Sequence, residues 1–238
     1  MEEYKALRQL AEVISKLNQD ELFKCLNDLK LPSDRKIILF NVLTNQHNLT
    51  FHEVLDIHLY VAKELFLSEF ELHGIKEHLY SKSDLYEYDP AKNGQNLIKH
   101  GISFDEVVSY SNKFGTLSVA CPDENDKERL ILFSDISASR SGCKLSLPIE
   151  KVANEEEMYV MSVCQLKSLK FRFISSRVMS RKRYIKTLNN ALKNIYLNEP
   201  EKKNALVERC FLWFPRSSVV TSLDRSCGQL YGAGAPTR

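Results

Sequence analysis

Lys92, Lys99 and His100 stand close together in "YEYDPAKNGQNLIKHGISFDEV", residues 86–107, and Arg177 ends the later stretch "FRFISSR". These side-chain types suit a polyanion. Lysine and arginine neutralise phosphates, and a guanidinium can grip two phosphate oxygens at once. A histidine that is neutral near pH 7 can take a proton from a ribose 2′-hydroxyl or return one to a leaving oxygen. Cations can stabilise the charge that grows on phosphorus, so RNA can be cleaved in this way without a metal ion. Further basic residues join the set: Arg129, Arg172, and the run Arg181, Lys182, Arg183 and Lys186. Tyr86, Tyr88, Phe171, Phe173 and Tyr184 lie among them and could stack on unpaired bases. Each feature has a plainer reading beside this one. A basic run on a helix is usually a solvated face, and His100, just before Gly101, can serve the last carbonyls of its own helix.

Other chemistries are not signalled. There is no nucleotide-binding glycine loop and no GxSxG, HExxH or EF-hand pattern. Cys25, Cys121, Cys143, Cys164, Cys210 and Cys227 are scattered, with no CxxC pair and no zinc spacing. They read as reduced thiols of a cytoplasmic protein, and neither a metal nor another cofactor is expected. The composition, 43% hydrophobic and 27% charged, is that of a soluble globular chain. No apolar run approaches the roughly 18 residues of a membrane span, and the acidic, amphipathic start "MEEYKALRQL" is unlike a secretory signal. The net charge of +2 conceals an asymmetry. Residues 1–80 hold 9 Lys or Arg against 13 Asp or Glu, whereas residues 167–198 hold 9 Lys or Arg and no acidic residue. The front could therefore shield the basic segment or meet a separate partner.

The elements that must position these residues can be read from periodicity and punctuation. Residues 1–82 read as a helical bundle. Asp20 is placed to cap "ELFKCLNDLK", Pro32 breaks that helix, and "SDRKIILFNVLTNQ" makes another. Thr50 with Glu53 forms a capping box before a long helix over residues 51–80, bent at Gly74. His52, His58, His73 and His78 fall here without a metal-ligand repeat and read as rim histidines. Residues 83–200 read as an α+β domain. Asp89-Pro90 opens a helix that Gly101 closes, and Ser103 with Glu106 caps the next. "GTLSVAC", "ERLILFSDI", "CKLSLPI", "MYVMSVCQL" and "LKFRFISS" then alternate as strands at the short spacing of an antiparallel sheet. A helix resumes near Ser180 and ends before Pro200. Residues 201–238 read as a loose extension, rich in Ser and Gly toward its end.

The stretch at 86–107 resembles the opening of BrnT-family toxins. Asp89, Pro90, Lys92, Asn96, Lys99, His100, Gly101, Ile102, Ser103, Phe104 and Glu106 match that family's pattern. "RFISSR", Arg172 to Arg177, looks like the family's arginine-led strand ending in I-S-A-R, and Arg129 looks like the arginine of an earlier strand. Together the two motifs span about residues 84–190. After Arg177 the chain departs from the family's K-A-T-[RK]-R-E, with Ser180 for threonine and Arg183 where glutamate is usual. The resemblance implies a RelE-like fold and a metal-independent ribonuclease. It also implies a BrnA-type antitoxin as partner, in a complex that binds its own operator DNA. On side-chain chemistry Lys92, His100, Arg129 and Arg177 are the candidate catalytic residues. Lys99, Arg172, Arg181, Lys182, Arg183 and Lys186 are the candidates for RNA grip. The alternative is a catalytically silent version of the same fold that binds nucleic acid or protein.

Overall fold

Apolar residues at helical spacing and side-chain caps set the front of the chain. A computed structural model describes residues 9, 12–72, 80–81, 85–114, 116–121, 129–137, 145–148, 157–167, 169–193 and 195–212. Residues 12–15 are helical, and the described helices that follow at its front are α1 (Gln19–Asn27), α2 (Ser33–Leu43), α3 (Phe51–Leu65) and α4 (Leu67–Leu72). Asn18 caps α1, not Asp20: its side chain accepts from the Glu21 N–H, and the Glu21 carboxylate accepts from the Asn18 N–H. Thr50 and Glu53 form the expected box ahead of α3. The helix expected over 51–80 is broken at Phe66, whose backbone leaves helical angles at φ −129° and ψ 52°. The expected bend at Gly74, and His73 and His78, lie outside the described residues.

Past the front come β1 (Tyr80–Ser81), β2 (Tyr86–Tyr88), α5 (Pro90–His100), α6 (Phe104–Phe114), β3 (Leu117–Ala120) and β4 (Arg129–Ser137). They are followed by β5 (Glu157–Lys167), β6 (Lys170–Met179), α7 (Arg181–Lys193) and α8 (Pro200–Leu212). The fold is α+β, with one sheet in the order β1-β2-β6-β5-β4-β3. The sheet is mixed rather than wholly antiparallel: β2 pairs with β6 in parallel, Tyr86 opposite Phe171 and Tyr88 opposite Phe173. Short strand spacing signals hairpins, and the long crossover that brings β6 beside β2 leaves no such local mark. No strand forms over residues 145–148, where "CKLSLPI" suggested one. Leu147 is instead buried, and its N–H donates to the Gly101 carbonyl. Pro200, expected only to end a helix, opens α8 from the first position, where its missing N–H costs nothing. Among the described residues no helix is long and apolar enough to cross a membrane.

Three apolar clusters hold these elements. On one face of the sheet, Phe104, Val107 and Val108 of α6 pack with Leu132, Val160 and Phe173. On the other, Tyr184, Leu188 and Leu192 of α7 pack with Phe133, Tyr159 and Met179. The third cluster fills the front helices and continues past residue 82 into Ala91, Leu97 and Ile98 of α5 and into Leu147. The apolar residues of α5 are therefore covered by the front.

Contact between α3 and α5 is closest at Gly94, where an added Cβ would lie 2.0 Å from the Asp56 carbonyl oxygen. Beside it the Asn93 amide donates to the buried Asp56 carboxylate at 2.7 Å and accepts from the Phe104 N–H at 2.6 Å. Backbone on both sides leaves no flexible neighbour to yield. Gly94→Ala is expected to lower the unfolding free energy by about 1–3 kcal/mol or more, as overpacking does. Urea unfolding checks this, and an unchanged midpoint would mean that the two helices can part at this point without cost.

Candidate functional site

α5 is tied at both ends. Asp89 accepts from the Ala91 N–H at 2.8 Å and from the Lys92 N–H at 3.4 Å, and its other oxygen pairs with Lys63 at 3.1 Å. Gly101 takes the left-handed conformation, φ 70°, and closes the helix onto the Leu97 carbonyl. Lys92, Asn96 and Lys99 fall four and three residues apart, so one side of the helix presents them together. That side runs along β6. The Asn96 carbonyl oxygen accepts from the Ser176 N–H at 2.8 Å, and its amide donates to the Ile102 carbonyl at 2.8 Å. A helix side chain thus takes the hydrogen bond that a neighbouring strand would otherwise offer Ser176.

β6 is irregular at the same place. Val163 pairs with Ser175 and Cys164 with Phe173, which leaves Ile174 as an extra residue. Phe173 and Val178 then pack in one apolar cluster although they are an odd number of residues apart, which strict alternation forbids. The bulge resets the alternation and fixes where Ser175 and Arg177 emerge.

Between α5 and β6 lies a cleft of about 310 Å³ lined by Lys92, Lys99, His100 and Arg177, with Gln95, Asn96, Ile174 and Ser175. No carboxylate is among these residues. Burial first, then the charges of Arg177, Lys99 and Arg35, lower the His100 pKa to about 4, so the imidazole is neutral at pH 7. The Arg177 Nε is buried and has no hydrogen-bond partner. Gln95 is hydrogen-bonded to Tyr60 of α3, whose phenol is pushed up to about 12 by burial and by the nearby Glu64 charge. The site offers cations and a neutral proton acceptor to a small anion, and the Nε–H of its arginine is left unsatisfied by the protein.

Four of the candidates share this cleft: Lys92, Lys99, His100 and Arg177. The others do not line it. Arg129 is exposed at the start of β4, opposite Gln165, which in turn lies opposite Arg172. The Arg172 Nε is bound to the Glu87 carboxylate at 2.7 Å, both side chains being largely buried, so this arginine staples β2 to β6. Arg181, Lys182, Arg183 and Lys186 are exposed on α7. Tyr88, Phe173 and Tyr184 are core residues rather than base-stacking platforms; Tyr184 packs edge-on against Phe133 and at a tilt against Tyr159. Tyr86 and Phe171 are half-buried neighbours whose rings touch. The sequence reading missed Gln95, which helical spacing from Lys92 and Lys99 could have signalled. It also missed Arg35, far away in sequence, for which no local signal exists. Among the described residues, no group of three or more His, Cys, Asp or Glu is placed to hold a metal ion. Compared with known proteins, the chain matches no family model, no curated protein and no solved structure.

The half-buried imidazole carries a stability consequence. His100 has an ordinary pKa of 6.5 and a folded value of about 4. Between these values the unfolded chain binds more protons, so stability falls as pH drops from about 6.5 toward about 4. His100→Gln is expected to lose less Tm than the parent on acidification from about pH 7 to about pH 5. His58, also lowered by burial, and Glu106, raised by burial, titrate in both proteins and cancel in the comparison. Parallel melting curves at the two pH values check it, and equal losses would show that folding does not lower the His100 pKa.

Proposed function

We propose that the protein is a metal-independent endoribonuclease that cleaves single-stranded RNA in the cleft between α5 and β6. The observation that carries this reading is the meeting of Lys92, Lys99, His100 and Arg177 around one space without a carboxylate. The cations suit the scissile phosphate, and the buried Arg177 Nε–H suits one of its oxygens. Neutral His100 suits the 2′-hydroxyl proton. As that oxygen attacks phosphorus, the proton passes to the imidazole, the P–O5′ bond breaks, and the departing 5′-oxygen takes a proton from the imidazolium or water. The products are a 2′,3′-cyclic phosphate and a 5′-hydroxyl. An imidazole with a pKa near 4 is a weak base. A bound phosphodiester brings a negative charge that raises it toward the working range.

The likeness of residues 86–107 and 172–177 to BrnT-family toxins supports the same reading. It implies a RelE-like fold, a cytoplasmic location and a BrnA-type antitoxin as partner. In this reading the exposed Arg181, Lys182, Arg183 and Lys186 follow the RNA backbone beyond the scissile bond. A catalytically silent RNA-binding module is the second reading. It is favoured by Arg183 at the family's glutamate position and by the commitment of Arg172 to Glu87.

Incubation of the full chain with single-stranded RNA in EDTA, with analysis of product ends, decides between them. Cyclic phosphate ends are expected; intact RNA under conditions where the protein binds it supports the silent module. His100→Gln and Arg177→Ala are each expected to slow cleavage by about 10²–10⁴. Full activity in both variants would remove the chemistry from this cleft. Replacing Arg181, Lys182 and Arg183 together by Ala should lower the slope of log affinity against log salt by roughly 0.7 for each phosphate no longer neutralised. An unchanged slope would mean that this run is only a solvated face.

A further inference from the structure

Arg35 stands out in the helical front. It lies on α2 and is 7% exposed, although it is charged. Its Nη1 donates to the Pro148 carbonyl at 3.0 Å and reaches the Ile98 carbonyl at 3.5 Å, the outer limit of a hydrogen bond. Its Nε pairs with Asp34 at 3.2 Å, and that carboxylate is 48% exposed. A guanidinium buried mainly against carbonyls is expensive to desolvate, and stability alone does not call for one. Its place explains it. Ile98 belongs to the last turn of α5, the negative end of that helix, and Pro148 ends the segment whose Leu147 N–H is bound to Gly101. The two carbonyls bracket the turn that carries Lys99 and His100.

We propose that Arg35 is a positioning residue for the cleft. From the helical front it clamps the last turn of α5 to the segment 145–148, and so fixes how His100 and Lys99 face Arg177. It touches neither the cleft lining nor a substrate placed there. It acts through the carbonyl two residues before His100, and its positive charge stands behind the imidazole. The charges that bear on His100 are those of Arg177 on β6, Lys99 on its own helix and Arg35 on α2, and Lys92 shares its cleft. Of these, Arg35 comes from outside the cleft, and its field is offset by a carboxylate that water reaches. The front of the chain is thereby part of the site. The effect on catalysis rests on the ribonuclease reading; the placement of His100 does not.

The test follows the His100 ring by NMR in the full-length protein, assigned by its loss in His100→Gln, through an acid titration. Arg35→Met removes the charge and the clamp, and should raise the His100 pKa. Arg35→Lys keeps a charge there and should restore most of the parent value. Asp34→Asn removes the offsetting carboxylate and should lower the His100 pKa. Where RNA is cleaved, the acid limb of the rate–pH profile should move with the ring titration in each variant. A His100 titration unchanged in Arg35→Met and Asp34→Asn overturns the proposal. If Arg35→Met does not fold, Arg35→Gln, which keeps a hydrogen-bond donor without the charge, takes its place in the titration. Ring shifts as expected in a protein that cleaves no RNA would uphold the role of Arg35 and reject the ribonuclease.

Discussion

The fit of one helix between two unlike neighbours governs the rest of the structure. On one side α5 presses its backbone against α3, so closely that position 94 has no room for a side chain. On the other it lies along β6 and supplies the Asn96 oxygen to the Ser176 N–H. Both contacts fix depth as well as direction. Gly94 sets how near the front helices come, and Asn96 sets how near the sheet edge comes. The cleft is the space left beside this second contact, so its width follows from a hydrogen bond that belongs to no regular ladder.

The side-chain amides at the joint are answered. Asn93 bonds to Asp56 and to the Phe104 N–H, and Asn96 bonds to Ser176 and Ile102. Ser162 and Ser176 face each other across β5 and β6 at 2.7 Å. Removing one such partner leaves the other buried and unsatisfied, typically a loss of about 1–3 kcal/mol. The cleft is the contrast. Its cations surround an imidazole that burial keeps neutral, and the buried Arg177 Nε–H is unanswered by the protein. A molecule that satisfies both asparagines along the joint but leaves a guanidinium N–H open beside them has concentrated its unmet polarity where an anion fits.

What the sequence disclosed was local. The caps at Asp89, Thr50 and Ser103, the left-handed Gly101 and the alternation of β4 and β5 depend on residues a few positions apart. Lys92, Lys99 and His100 were legible as a set because one helix carries them. What it hid was relational. The parallel pairing of β2, the Arg172–Glu87 ion pair and the extra residue at Ile174 depend on which strands become neighbours. Arg172 and Arg177 look alike in "RFISSR", yet the first is spent on holding two strands together. Tyr184 looked like a basic helix's aromatic platform because its neighbours are cationic. It is buried because it faces the sheet while they face water.

Charge alone suggested that the acidic front might lie over the basic segment as a shield. The described contacts between the front and α5 are of another kind. Its Asp56 is turned inward to Asn93, and its Glu53 accepts from Ser146 at 2.7 Å. The side chain it places nearest the last turn of α5 is a cation, Arg35. The front therefore reaches the site through apolar packing, two inward carboxylates engaged with amide and hydroxyl groups, and one buried guanidinium. A shield would be displaced by a polyanion competing for the basic surface. A support of this kind is engaged with backbone carbonyls, an amide and buried apolar groups rather than with the basic surface. RNA entering between α5 and β6 and the front helices can act on the same helix at once without competing for the same atoms.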